Sequence, residues 1–331
     1  MRSHRDQYCI LCNIARNCAI AIAQYTMSPM PSTIDRRAFL TKAGLLAGAA
    51  SFSSAQPKPR LKIGHTGITW GFKPEDAAVA IHDLASLGYQ GYETFGEVLE
   101  AWEPKGGLRK ILEENQLPLI SAYCNVNLTE PAKRQDEVAR AVLWAKLIKQ
   151  NGGVTAVIGP NGVKRASYDF VASKANIISA LNEICKAVEA EGITPALHQH
   201  TGTCIESRDE VYAVLEAVDT KYVKFGPDVG QLAKGGVDPL KVVSDFLPLI
   251  RHVHLKDWNG GPHWAQYCPL GQGKVDVAGV LALLEKSPEM KIIMVELDPS
   301  PNPPLTPIET ARVSKQYLEK QGYRFRTERK A

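Results

Sequence analysis

Little in the 331 residues is arranged for a membrane, a nucleic acid or a disulfide framework. The apolar run Ala43–Ala50 is too short to span a bilayer, which needs roughly 20 residues. Of seven cysteines, Cys9, Cys12 and Cys18 fall near the N-terminus. "CILC" has the spacing of half a zinc site, but no second pair follows at ribbon spacing. Cys124, Cys185, Cys204 and Cys268 are widely scattered. A chain of this size buries a core without staples, and nothing in their spacing asks for a disulfide. The formal charge of +4 belongs to the N-terminus: removing the six Lys/Arg and two Asp/Glu of residues 1–55 leaves 33 of each sign. A neutral domain without a Lys/Arg cluster lacks the footprint of a nucleic-acid binder. No Gly-x-Gly-x-x-Gly follows the first strand-like run, which argues against a dinucleotide-binding sheet. From Leu61 onward about 270 residues run without a low-complexity break, a length that suits one α/β barrel or two small domains.

The segment "DRRAFLTKAGLLAGAASFSSAQP", from Asp35, is a poor helix of any fold, having no polar face. As a targeting segment each part has a use. Arg36 and Arg37 supply the charged region, Ala43–Ala50 the apolar region, and Ser53-Ser54-Ala55 a small-residue cleavage site. "DRRAFLTK" resembles the twin-arginine export signal, with Asp35 in place of the usual Ser/Thr and Lys42 one position late. Residues before Asp35 read as an upstream extension, with Met27 or Met30 as an alternative start. The expectation is residues 1–55 as extension and signal, residues 56–331 as one domain, and a periplasmic location with no membrane anchor after cleavage. That route carries folded proteins, often with a cofactor already seated.

The body alternates short β-branched runs with longer amphipathic ones. Expected strands are Leu61–Trp70, Gly91–Phe95, Leu117–Val126, Thr155–Gly159, Ile193–His200, Val223–Asp228, Arg251–Asp257 and Lys291–Asp298. Between them, Ile177, Leu181, Ile184 and Val188 form one helical stripe, and Val138, Val142 and Ala145 another. Ser207 before "RDE" and Asp238 before Pro239 are helix entries. Gly88, Gly153, Gly192 and Gly322 are helix stops. Eight strand-then-helix units predict an α/β fold, the (β/α)₈ barrel, which typically takes about 250 residues.

In that fold, chemistry sits at the C-terminal ends of the strands. Those ends are polar here: "ALHQH", "GPDVGQ", "RHVHLKD" and "MVELD". Alternation puts His198 and His200 on one face, and His252 and His254 likewise. His198, Asp228, His254 and Glu296, one from each of four successive strands, would converge at the barrel mouth. Two imidazoles and two carboxylates form a mixed N/O site for one divalent ion, Mn²⁺ foremost, with Zn²⁺, Co²⁺ or Fe²⁺ as alternatives. Each residue alone has an ordinary reading: Asp228 as a turn cap, Glu296 paired with Lys256. Four together are harder to explain that way, because buried carboxylates are costly unless paired or metal-bound.

"RHVHLKD", "PLGQGKVD" and "IIMVELD" resemble the sugar isomerase/epimerase superfamily of xylose isomerase-like TIM barrels, over about residues 61–323. "LHQHTGTCIES", "PDVGQLAKGGVDPL" and "HVHLKD" are most similar to the inosose dehydratases within it. The resemblance implies metal ligation by Asp228, His254 and Glu296. His198 falls where the epimerases have a fourth ligand, a glutamate. Gln231 replaces a histidine that usually touches substrate.

Two-carboxylate epimerases remove a proton with one Glu and return one with the other. With His198 in place of one Glu, the set suits elimination beside a ketone. Glu296 or His200 is the candidate base, and Lys256, two residues after His254, the candidate acid. Glu93, in "GYETFG", is expected to reach a substrate hydroxyl, Trp70 to stack on a sugar ring, and Asp257 to contact substrate. His263, beside Trp264, lies on a long loop that would act as a lid. The reading is a divalent-metal-dependent lyase for a keto-cyclitol or keto-sugar, such as an inosose or a 3-keto-glycoside. The alternative is an aldose–ketose isomerase or epimerase of the hydroxypyruvate-isomerase type. An apurinic endonuclease shares the barrel but would need a basic face. A non-catalytic sugar-binding barrel would hold no metal. The expected partner is a small carbohydrate, with homo-oligomerisation left open.

Overall fold

The computed structural model describes residues 60–327. The twin-arginine segment, the upstream extension and Cys9, Cys12 and Cys18 lie outside the described residues. Eight strands make one parallel sheet: β1 (Lys62–Thr66), β2 (Tyr92–Phe95), β3 (Leu119–Val126), β4 (Thr155–Pro160), β5 (Thr194–Leu197), β6 (Lys224–Phe225), β7 (His254–Leu255) and β10 (Ile292–Val295). Their spatial order is β6-β5-β4-β3-β2-β1-β10-β7. Two isolated parallel bridges, Phe225 with Ile250 and Asp228 with His254, join the outer strands, so the sheet closes on itself. Across this seam the amides of Arg251 and His254 donate to the carbonyls of Phe225 and Pro227, at 3.0 and 2.9 Å. Helices fill the crossovers, giving the (β/α)₈ barrel. An antiparallel ribbon, β8 (Asp257–Trp258) with β9 (Tyr267–Cys268), rises from the loop after β7.

The strands are apolar because both faces are covered. In β4 all six residues, "TAVIGP", are buried. The helix Phe170–Ala190 buries Ile177, Leu181, Ile184 and Val188 against the sheet, and its N-cap Asp169 accepts from the Ala172 amide. Ser207 and Glu210 form a reciprocal capping box at the helix Arg208–Leu215, and Asp238 caps the helix that starts at Pro239. One stripe is rotated from the sequence expectation. In the helix Arg134–Gln150 the buried line is Glu137, Ala141, Trp144, Ala145 and Ile148, while Val138 and Val142 are half-buried. The cause is Trp144, whose ring lies so close to Gly96 that a Cβ there would sit 2.6 Å from it. The helix stop at that end also moves: Gly152, not Gly153, takes the left-handed conformation, with φ 85°.

Cys124, Cys185, Cys204 and Cys268 are buried free thiols. Among the described residues, no helix is long and apolar enough to cross a membrane.

Candidate active site

The polar strand ends meet at the C-terminal mouth, held there by main-chain bonds. His198 N–H donates to the Ile158 carbonyl at 2.9 Å, and Glu296 N–H to that of Leu255 at 3.1 Å. Asp228 is the N-cap of the helix Val229–Lys234. Its Oδ1 accepts from the Gln231 amide at 2.9 Å, which points Oδ2 inward.

Around these groups lies a buried network of charge. His254 is flanked by two carboxylates, Nε2 being 2.6 Å from Glu93 and Nδ1 2.8 Å from Glu296. Burial alone would lower the His254 pKa, but Glu296 and Glu93 outweigh it and hold it well above the ordinary value. Burial works the other way on Glu296, where His254 and Lys256 outweigh it and keep the carboxyl well below its usual range. Lys256 Nζ is fully buried, 2.5 Å from Glu296, 3.1 Å from Asp228 and 3.1 Å from Asp298. Those carboxylates overcome the cost of burying it and keep it charged. His198 is different: burial, then the neighbouring His254, push its pKa well down. It is a neutral imidazole, the form that binds metals.

His198, Asp228 and His254 each bring a ligand atom within 4.8 Å of one another. His198 Nδ1 is buried with no hydrogen bond or ion pair, whereas Asp228 Oδ2 lies 3.1 Å from Lys256 and His254 Nδ1 2.8 Å from Glu296. An orphaned buried atom of that kind is rare in a folded protein and needs a partner. Glu296, against His254 Nδ1, adds a carboxylate beside them. Nitrogen and oxygen donors in this mixture fit a divalent first-row cation. Glu93 fits too, since a carboxylate on the far nitrogen of a ligating histidine fixes its ring and tautomer. The residues present therefore fit the group.

The other expected residues have other partners. Glu93 does not point at open solvent: its carboxylate is shared by His254, His252 at 2.9 Å and the Ser121 hydroxyl at 2.5 Å. His200 Nδ1–H donates to the Thr201 carbonyl at 2.7 Å, so Nε2, 2.7 Å from Gln231 Nε2, accepts from that amide. Both ring nitrogens are engaged. Gln231 Oε1 also accepts from the Thr201 hydroxyl and amide, so Gln231 orders the loop that carries His200. Asp257 turns away from the mouth. Its carboxylate accepts from the amides of Trp258, Gly271, Gly273 and Val275, which wraps "PLGQGKV" around it and leaves nothing for a substrate. Trp70 donates Nε1–H to Asp83 at 2.8 Å and stacks on no open face. In the loop after β7, Trp264 is buried against Tyr267 and Leu297, and His263 packs on Trp264. Lys234 ties that loop down at the Ala265 carbonyl.

Sequence reasoning did not single out Ser121, Tyr123, Asp298 or His65. Asp298 was visible as the last residue of "MVELD", and its place beside Lys256 comes from the fold. His65, on β1, is fully buried between Trp70 and Tyr89, with Nδ1 2.7 Å from the Thr66 carbonyl. Burial lowers its pKa to about 4, against weaker pulls upward from that carbonyl and Glu296. The unfolded chain binds this proton below about 6.5 and the folded chain only below about 4, so His65 costs stability as pH falls through that window. Between pH 7 and 5 the cost is about 2 kcal/mol. His65→Gln should remove that part of the acid loss in urea melts at the two pH values. Parallel loss in variant and wild type would contradict it.

A cavity of about 290 Å³ opens above the network, lined by Thr66, Ile68, Phe72, Phe95, Tyr123, His198, His200, Glu296 and Asp298 among others. Its size suits a small ligand, with a few polar groups on one wall to orient it.

The family model of the xylose isomerase-like TIM barrel matches residues 81–320. An inosose dehydratase of Clostridium botulinum is 22% identical over 298 residues, covering 80% of this chain and 98% of that protein. Among solved structures, the 3-keto-D-glucoside 4-epimerase YcjR of E. coli superposes with TM-score 0.64 at 16% identity, covering 78% of this chain and 99% of that one. The IolI protein, solved with a bound zinc atom, gives 0.64 at 17%, covering 81% and 100%. The closed parallel barrel, the polar mouth and the match over most of its length lead to one conclusion: the chain belongs to the xylose isomerase-like TIM barrel family.

Proposed function

We propose that the protein is a divalent-metal-dependent lyase that eliminates water or an alcohol from a keto-cyclitol or keto-sugar. The observation that carries this reading is the asymmetry of the mouth. Glu296 is a carboxylate on the pocket wall, and His198, also on it, falls where the resemblance puts the epimerases' second glutamate. An imidazole bound through one nitrogen keeps no lone pair for base work, whereas a carboxylate keeps its other oxygen. Of the other acids at the pocket, Glu93 is paired with two imidazoles and a hydroxyl, and Asp298 with Lys256. The dehydratase named among the relatives supports the reaction type, and the sugar epimerase fold supports a carbohydrate substrate.

His198, Asp228, His254 and Glu296 would hold the cation, Mn²⁺ in our reading. When bound it would polarise the substrate ketone and draw the developing negative charge onto its oxygen. Glu296, whose two oxygens face Lys256 and His254, must release one of these contacts to take the proton from the carbon beside the ketone. The electron pair of that C–H bond forms the C=C bond as the β-carbon–oxygen bond breaks. Lys256, against the pocket carboxylate Asp298, supplies the proton that leaves with the departing oxygen. The products are an enone and water or alcohol, and no oxidant or reductant enters. After export by the twin-arginine route, the enzyme would act on sugars in the periplasm.

The test is product partitioning in deuterated water, with the metal-loaded protein and a panel of inososes and 3-keto-glycosides. Release of water or alcohol with an enone chromophore is expected. His198→Glu should restore a second carboxylate and raise the ratio of epimerisation, read as deuterium at the abstracted carbon, to elimination. A wild-type enzyme that exchanges deuterium and epimerises but never releases water or alcohol would overturn the lyase reading in favour of an isomerase.

A further inference from the structure

The pocket lining combines polar groups, His198, His200, Glu93, Glu296 and Asp298 among them, with Ile68, Phe72, Phe95 and Tyr123. Among the latter the rings form a continuous line. The Tyr123 ring centroid is 5.4 Å from that of His198, Phe95 is 5.9 Å from Tyr123, and Phe72 is 5.5 Å from Phe95. A six-membered ring seated beside His198 would adjoin Tyr123. Phe95 and Phe72 continue outward beyond it.

Phe72 is 60% exposed. Single exposed apolar side chains are common. The other large ones here, Val79, Leu143, Val154 and Val171, lie away from this cavity, and Phe72 is the one that lines it. The chain on either side of it is hydrogen-bonded. Trp70 and Gly71 amides close a turn on the Gly67 and Ile68 carbonyls, and Trp70 is anchored on Asp83. The Lys73 amide donates to Asp76, and Trp102 Nε1–H donates to the Pro74 carbonyl at 2.7 Å. The loop thus presents an aromatic ring to solvent from an anchored backbone, which lowers the cost of binding a flat apolar group there.

We propose that Phe72 and Phe95 form an outer subsite for the aglycone of a glycoside, a planar apolar group, with the sugar ring innermost beside His198. This rests on the carbohydrate reading above and narrows it. The natural substrate is a keto-glycoside whose leaving group is an aromatic alcohol, rather than a free keto-cyclitol. Offset or edge contacts to two aromatic rings should give an aryl glycoside about a five- to tenfold advantage over its methyl counterpart.

Calorimetry of the full chain loaded with Mn²⁺ tests this with 4-nitrophenyl and methyl β-D-glucosides, neither of which carries a ketone. The aryl compound should bind at least about fivefold tighter. Phe72→Ala should collapse that ratio towards one, and Phe72→Trp should keep it. Because Phe72 is exposed, an unchanged melting temperature will show that the alanine variant is folded. Equal affinities in the wild type, or a ratio untouched by Phe72→Ala, would overturn the subsite. An intact aryl preference with no elimination from any keto-sugar would sink the lyase reading and leave the subsite standing.

Discussion

Asp228→Asn will empty the site of its divalent cation and abolish turnover, and the barrel will remain folded. The substitution is chosen for its atoms. Asn keeps an oxygen to accept from the Gln231 amide, so the cap on the helix Val229–Lys234 survives. What it removes is the negative charge at Oδ2, a buried atom 3.1 Å from the Lys256 ammonium. Loss of one charged ligand from a four-residue set should cut affinity at least about a hundredfold, comparable to the upper range for losing a supporting partner. Elemental analysis after dialysis should then find little metal, and activity should fall by about three orders of magnitude or more if the cation carries the charge stabilisation proposed. The melting temperature without metal should move by a few degrees at most. His254→Ala should also lose the metal, at a greater structural cost, because Glu93 and Glu296 would both face a void. Full metal content in both variants would end the metal-centre reading.

The second large effect is structural. Lys256→Met will destabilise the metal-free protein by about 3–5 kcal/mol, the usual cost of removing one partner from a buried ion network. Asp228, Glu296 and Asp298 would all lose the same ammonium. For a chain of this length that is on the order of ten degrees in melting temperature. The sign of the metal effect is the more informative measurement. Divalent cation should raise the melting temperature of Lys256→Met more than that of wild type, because it replaces the missing positive charge. Activity should stay low even so, since the proton donor is gone. Apo stability equal to wild type would show that the three carboxylates do not depend on Lys256.

The alternation of apolar runs and helical stripes made the barrel legible, and the placing of polar residues at strand ends made its mouth legible. His198, Asp228 and His254 were visible because each closes an apolar run, and the fold then brings them together. Other features depended on three-dimensional detail that a one-dimensional pattern does not carry. The expected strands Val223–Asp228 and Arg251–Asp257 shrink to two residues each because the chain leaves the sheet to build the site. Pro227 has no N–H to donate to a ladder, and Asp257 is diverted into the β8–β9 ribbon. Asp257 and Asp298 look alike in sequence, the first one residue past Lys256 and the second two past Glu296. Only the loop "PLGQGKV", folding back to offer four amides with Trp258, separates a structural carboxylate from one at the pocket. Trp70 and Phe72 are a similar pair. The indole found a carboxylate at Asp83, and the smaller ring two residues later took the place at the mouth.

The joints of the barrel are unequal. Six residue pairs tie β3 to β4, whereas β1–β2, β5–β6 and β7–β10 have two each, and the β6–β7 seam is closed by two isolated bridges. One of those bridges is Asp228 with His254, two of the expected ligands. A cation gripped by both would act as a clasp across this seam. Emptying and filling of the site would then be felt as slackening and tightening of the whole hoop. The amides of Arg251 and His254, which cross that joint, are where hydrogen exchange would register it first.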